Sequence, residues 1–210
     1  MEGQQKTGTT TVALKCKDGV VLASDKRATM GNFISNKEVN KIFKLDDKIG
    51  ATIAGGVGDA QNVMRIVRAE AQLFKMNRKK DMSVKAAATL LANILNNNRY
   101  YPYLVMSIVG GINVKGAPAI YSIDPVGGLM EEDMIATGSG SPMAYGLLET
   151  KFKKDKSIQD NLPIALKAIK VAMERDSASG NGINLAVITD KDGFKQYSDS
   201  EVKKLAEKLN

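Results

Sequence analysis

Apolar residues in this chain switch back and forth between a spacing of two and a spacing of 3.6, and the order of those switches limits the possible folds. Near the start, Val12, Leu14 and Cys16 alternate with Ala13 and Lys15, the pattern of a strand. Lys17-Asp18-Gly19 is a turn signal, and the apolar run 20–23 follows as a second strand. Residues 42–45 and 49–54, separated by Asp46-Asp47-Lys48, form another hairpin pattern. The period then changes. Ala60, Val63, Met64, Val67, Ala71 and Phe74 fall on one face of a helix, and Ser83 is placed to cap a second helix bearing Val84, Ala87, Ala88, Leu91 and Leu95. Strands return at 104–109 and 119–123. One helix is expected from Ser141-Pro142, with Pro in its first turn. Another is expected from Pro163, carrying Ala165, Ala168, Ile169, Ala172 and Met173. A last hairpin at 183–197 and a terminal helix at 200–209 complete the pattern.

The resulting order is strands, two helices, strands, two helices, strands. At 210 residues, with no linker-like shift in composition and no internal repeat, the chain reads as one α+β domain with antiparallel sheet packed by helices. Each helix has a single apolar stripe, so each covers a sheet from outside. Two stacked sheets between two helix layers satisfy this pattern.

Composition narrows the chemistry. The chain contains no histidine, which excludes Ser-His-Asp and Cys-His catalysis and His-ligated metal sites. A hydrolase built from this sequence must use a carboxylate, a lysine or an α-amine to accept a proton. No metal or other cofactor is implied. Cys16 is the one cysteine, so no disulfide can form within the chain, in keeping with a reducing cytoplasm. Residues 1–8 have no apolar core of the kind a secretory signal needs, and no apolar stretch approaches the ~18 residues of a membrane span. The net charge of +7 raises the question of a nucleic-acid partner. The basic clusters at 78–80 and 151–156 are short, however, and each falls near the end of a helical pattern, where cations complement the helix dipole. No nucleic-acid or membrane partner is expected.

Several short segments could carry chemistry. Gly8-Thr9-Thr10-Thr11-Val12 reads as the β-branched start of a strand, but also as a processing site. Cleavage after Gly8 would leave Thr9 with a free α-amine beside its own hydroxyl. Such an amine has a pKa of about 8 and can accept a proton near neutrality, so nucleophile and base belong to one residue. Asp25, in Ala23-Ser24-Asp25-Lys26-Arg27-Ala28-Thr29, reads alone as a turn residue. Lys41, in Asn40-Lys41-Ile42-Phe43, reads alone as a solvated charge. Ala54-Gly55-Gly56 joins a strand to a helix and is either a tight turn or a set of N–H groups aimed at an anion. Thr137-Gly138-Ser139-Gly140-Ser141-Pro142 has the same two readings and lacks the lysine of a phosphate loop.

Taken together, TTTV after Gly8, ASDKRAT, NKIFKL, TIAGGVGDAQ, TGSGSP and RDSASG resemble, in order and spacing, the archaeal-type β subunits of the proteasome core particle. The resemblance implies the four-layer αββα sandwich of N-terminal-nucleophile hydrolases and a threonine-type endopeptidase. It implies a leader, 1–8, removed by autocatalysis, and a catalytic domain, 9–210. It also implies homo-heptameric β rings stacked with α-subunit rings in the cytoplasm, fed with unfolded proteins by an ATP-dependent unfoldase.

The roles implied by the resemblance follow residue by residue. Thr9 matches the nucleophile, Asp25 its carboxylate, Lys41 the lysine paired with that carboxylate, and Gly55 the oxyanion donor. Ser139, Asp176 and Ser179 match the group that hydrogen-bonds the new N-terminus, and Arg27 supports the Asp25–Lys41 arrangement. Ala28, Val39, Ile53 and Val57 match the pocket for the residue before the cut, and their apolar character implies hydrophobic preference there. Inactive scaffold subunits of the same particle typically lose the nucleophile or the lysine; this chain keeps both.

Overall fold

Two five-stranded antiparallel sheets lie face to face, each covered on its outer side by helices. The computed structural model describes residues 8–207. The elements run β1 (Thr11–Cys16), β2 (Gly19–Asp25), β3 (Ala28–Met30), β4 (Phe33–Asn36), β5 (Ile42–Asp46), β6 (Ile49–Gly55), α1 (Val57–Arg78), α2 (Val84–Asn97), β7 (Val105–Ile112), β8 (Pro118–Ile123), β9 (Leu129–Glu132), β10 (Met134–Thr137), α3 (Ser141–Lys151), α4 (Ile158–Arg175), β11 (Ile183–Thr189), β12 (Gly193–Gln196) and α5 (Asp199–Glu207). One sheet has the order β10-β1-β2-β11-β12 and the other β5-β6-β7-β8-β9, while β3 and β4 form a separate hairpin. No helix among the described residues is long and apolar enough to cross a membrane.

Three apolar layers define the αββα sandwich. Val63, Val67, Leu91 and Leu95 of α1 and α2 pack on Ala51, Ile53 and Val109 of the second sheet. Leu148, Leu166 and Ile169 of α3 and α4 pack on Val12, Leu14 and Leu185 of the first. Between the sheets, Ala13, Val20 and Leu22 meet Ile42, Ile108 and Ile120. Successive side chains of a strand point to opposite faces, so β2 sends Val21 and Ala23 to the helices and Val20 and Leu22 to the other sheet. Burial on both faces explains why residues 20–23 are apolar without alternation. Each large side chain so buried contributes about 1.5–3 kcal/mol.

One expected helix start needs correction. The helix expected from Pro163 begins earlier, at Ile158, where the Ser157 hydroxyl and the Asp160 carboxylate form a reciprocal capping box. Pro163 therefore lies inside α4, where its missing N–H costs one helical hydrogen bond. The β3–β4 hairpin and the β9–β10 passage carry no clear sequence pattern. The first is short and largely exposed, so it has no apolar alternation to read. The second crosses from one sheet to the other with only Asp133 between strands, which in sequence looks like one continuous run. The expected terminal helix is present as α5. Lys208 and Leu209, which the reading included, lie outside the described residues.

Candidate active site

Strand register gathers four chain segments at one end of the first sheet. Thr11 at the start of β1 pairs with Ser24 near the end of β2 and with Thr137 at the end of β10. Asp25 pairs with Ile183 at the start of β11. The residues just beyond these pairs, Thr9, Asp25, Ser139 and the 176–182 loop, are thereby brought to one place. The second sheet supplies Lys41 just before β5 and Gly55 at the end of β6. The Thr52 hydroxyl donates to Thr11 Oγ1 at 3.0 Å, and Thr11 shares a 2.7 Å hydrogen bond with Thr137. This buried hydroxyl chain fixes the two sheets to each other directly behind the site.

Asp25 is fully buried, and its two oxygens organise the centre. Oδ1 accepts from Lys41 Nζ at 2.6 Å and from the Thr10 N–H at 2.9 Å, and the Thr9 hydroxyl lies 3.4 Å away. Oδ2 accepts from the N–H groups of Arg27 (2.9 Å) and Gly180 (3.0 Å). A buried carboxylate is tolerated only when so satisfied. Lys41 also donates to the Arg27 carbonyl at 2.6 Å. Burial pushes the Lys41 ammonium below the ordinary lysine range, and the Asp25 charge opposes that shift.

Ser139 lies on the other side of Thr9. Its oxygen accepts the Thr9 N–H at 3.1 Å, and its hydroxyl donates to Asp176 Oδ2 at 2.6 Å. Ser179 donates to the same carboxylate oxygen at 2.6 Å and shares a 2.7 Å hydrogen bond with Thr10 Oγ1. Arg27 ties this loop to the end of β2. Its guanidinium donates to the Ser177 carbonyl and to Asn181 Oδ1, both at 2.7 Å.

A family model described as "Proteasome subunit" matches residues 5–188. The chain belongs to the proteasome subunit family. It is 54% identical over 199 residues to a protein named "Proteasome subunit beta" from Methanocaldococcus vulcanius, covering 94% of this chain and 89% of that one. A protein of the same name from Methanosarcina mazei is 52% identical over 204 residues, covering 97% and 96%. One from Methanothermobacter thermautotrophicus is 49% identical over 203 residues, with 97% and 96% covered.

In this proteasome-family chain the centre opens into two adjoining spaces that share Thr9, Lys41, Gly55 and Val57 as walls. One is a cleft of about 200 Å³, walled in addition by Gly8, Ala28 and Thr29. The other is a narrow slot of about 20 Å³ reached by Val39, Phe43, Ile53 and Ala60. The four apolar residues singled out in the sequence are therefore divided between the spaces: Ala28 borders the cleft, Val39 and Ile53 the slot, and Val57 both. Gly55 stands at the junction with φ +134°, and a Cβ there would strike the Leu104 carbonyl, so this wall requires glycine.

Phe43 and Thr29 also line these spaces, beyond the residues that the sequence motifs mark. Strand alternation puts Phe43 on the same side as Lys41, and that signal was readable in NKIFKL. Thr29 had none, because its direction depends on a bulge in a hairpin the sequence does not announce.

Proposed function

We propose that this chain is a catalytic β-type subunit of the proteasome core particle, a threonine peptidase that matures by cutting its own Gly8–Thr9 bond. The observation that carries the reading is the Thr9 hydroxyl beside the buried Asp25–Lys41 pair, with Gly8 lining the same cleft.

In maturation, Thr9 Oγ attacks the Gly8 carbonyl carbon. The Oγ–C bond forms, the C–N bond breaks, and the nitrogen takes up the proton that the hydroxyl loses. Water then hydrolyses the ester, leaving Gly8 as a carboxylate and Thr9 with a free amine and hydroxyl. The mature residue repeats the chemistry on a bound peptide. Its α-amine takes the hydroxyl proton and returns it to the leaving amine. The Lys41 charge favours the ionising hydroxyl, and the Gly55 N–H is assigned to the developing oxyanion. Ser139, held by Asp176 together with Ser179, orients the amine. An apolar side chain before the cut sits where the cleft and the slot join, against Val57, with Val39, Phe43 and Ile53 closing its far end.

The working enzyme is a homo-heptameric β ring stacked with α-subunit rings in the cytoplasm, and its substrates are unfolded proteins delivered by an ATP-dependent unfoldase. The decisive experiment is intact mass on co-assembly with α subunits. The wild type should lose residues 1–8 and gain peptidase activity, and Thr9→Ala should do neither. An assembled particle that keeps its leader and cleaves nothing would make the chain a scaffold subunit instead.

A further inference from the structure

The hydrogen bonds around Gly8–Thr9 are asymmetric. On the amine side, Thr9 N–H donates to Ser139 Oγ at 3.1 Å. On the acyl side, Gly8 N–H donates to Thr29 Oγ1, also at 3.1 Å. We infer that Thr29 is a positioning residue for self-cleavage, its hydroxyl fixing the acyl half of the bond that Thr9 attacks. This inference rests on the maturation reading above.

Three features support it. Thr29 is buried, so its hydroxyl is a fixed partner and not one of many exchanging with water. The hydroxyl is aimed by a backbone irregularity. Ala28 pairs with Asn36 but Thr29 pairs with Ile34, so Ser35 is an extra residue in β4. A bulge of this kind redirects neighbouring side chains, and the Ser35 hydroxyl secures it by donating to the Ala28 carbonyl at 3.1 Å.

The third feature is Gly8 itself. A peptide substrate can be held by an apolar side chain placed where the cleft meets the slot, whereas Gly8 has none. Nor could it carry one here, because a Cβ on Gly8 would collide with the Ala178 Cβ and press on Ser139 Oγ. The leader's acyl group must be located through its backbone, and Thr29 supplies a contact to that backbone. The two substrates therefore depend on the hydroxyl unequally: self-cleavage heavily, and cleavage of a peptide with an apolar anchor much less.

The test compares Thr29→Val, which keeps the shape and loses the hydroxyl, with Thr29→Ser, which keeps the hydroxyl. The full-length chain is co-assembled with α subunits, and loss of residues 1–8 is timed by intact mass. Thr29→Val should mature about tenfold more slowly, the scale of one buried hydrogen bond, and Thr29→Ser should recover most of the rate. Rings made with Thr9 already exposed should show a smaller loss, under about threefold, in Thr29→Val peptide hydrolysis. Wild-type timing of Thr29→Val maturation overturns the inference. So does Thr29→Ser being as slow as Thr29→Val, which would make the effect one of packing. A wild-type chain that never loses its leader overturns the maturation reading itself, and the inference with it.

Discussion

Lys41 Nζ lies 2.6 Å from Asp25 Oδ1, with both side chains buried. Asp25 does not depend on that lysine alone, since it also accepts three backbone N–H groups, from Thr10, Arg27 and Gly180. Removing Lys41 thus leaves the carboxylate hydrogen-bonded, and an effect on rate can be separated from an effect on folding.

Lys41→Ala should lower peptide hydrolysis by about a hundredfold or more, the scale seen when a preorganised electrostatic group is removed. Lys41→Arg should not restore it, because the guanidinium changes shape and reach while keeping the charge. Asp25→Asn should be severely impaired as well. The measurement is turnover by assembled rings made with Thr9 already exposed. Near-normal turnover of such a Lys41→Ala ring would reduce Lys41 to a bystander.

Gly8→Ala should slow maturation, since its added Cβ meets Ala178. Ala178→Gly should recover part of the lost rate by removing the atom it strikes. Intact-mass time courses on the single and double variants check this. Failure of Ala178→Gly to help would place the obstruction elsewhere.

The pH profile should be bell-shaped. In the mechanism proposed above, the active form pairs a neutral Thr9 α-amine with a charged Lys41. On the acid side, activity rises as the amine, with an ordinary pKa of about 8, gives up its proton. On the alkaline side, burial has lowered Lys41 from its ordinary 10.5, so its charge and the activity fall before that pH is reached. Turnover by mature rings from pH 6 to 11 tests it. A rate still climbing past pH 10.5 would contradict the assignment.

Peptides with Leu, Phe or Tyr before the cut should be hydrolysed faster than those with Arg or Asp there, because Val39, Phe43, Ile53 and Val57 desolvate a charged group and Lys41 in the same wall is already paired with Asp25. Fluorogenic peptides differing only at that residue measure it. A preference for an acidic or basic residue would exclude these walls as the pocket.

Cys16 offers a control away from the site. Burial pushes its thiol up to about 12 from 9.0, so the folded state holds a proton that the unfolded state releases first. The associated stability is present below pH 9 and is lost as pH rises toward 12. Wild type should lose more melting temperature than Cys16→Ala between pH 8 and pH 11. The thiol should also resist alkylation at pH 8 until the protein is unfolded.

Much of the architecture could be read from local pattern. The stripe through Val63, Val67 and Ala71, the Ser83 cap and the β1–β2 turn all appear where periodicity and turn chemistry put them, because these signals act over a few residues. Ser157 and Asp160 are equally legible as a capping box, although Pro163 competes with them as a helix-start signal. Absence of histidine likewise confined the candidate chemistry before any fold was known. What tertiary structure alone decided is proximity. Asp25 and Gly180 are distant in sequence and meet only through the β2–β11 register, while Lys41 arrives from the other sheet. The direction of Thr29 depends on the extra residue in β4, and the fit around Gly8 on where Ala178 comes to rest. Sequence pattern sets which face of each element is buried; only packing the two sheets together sets which side chains meet at their end.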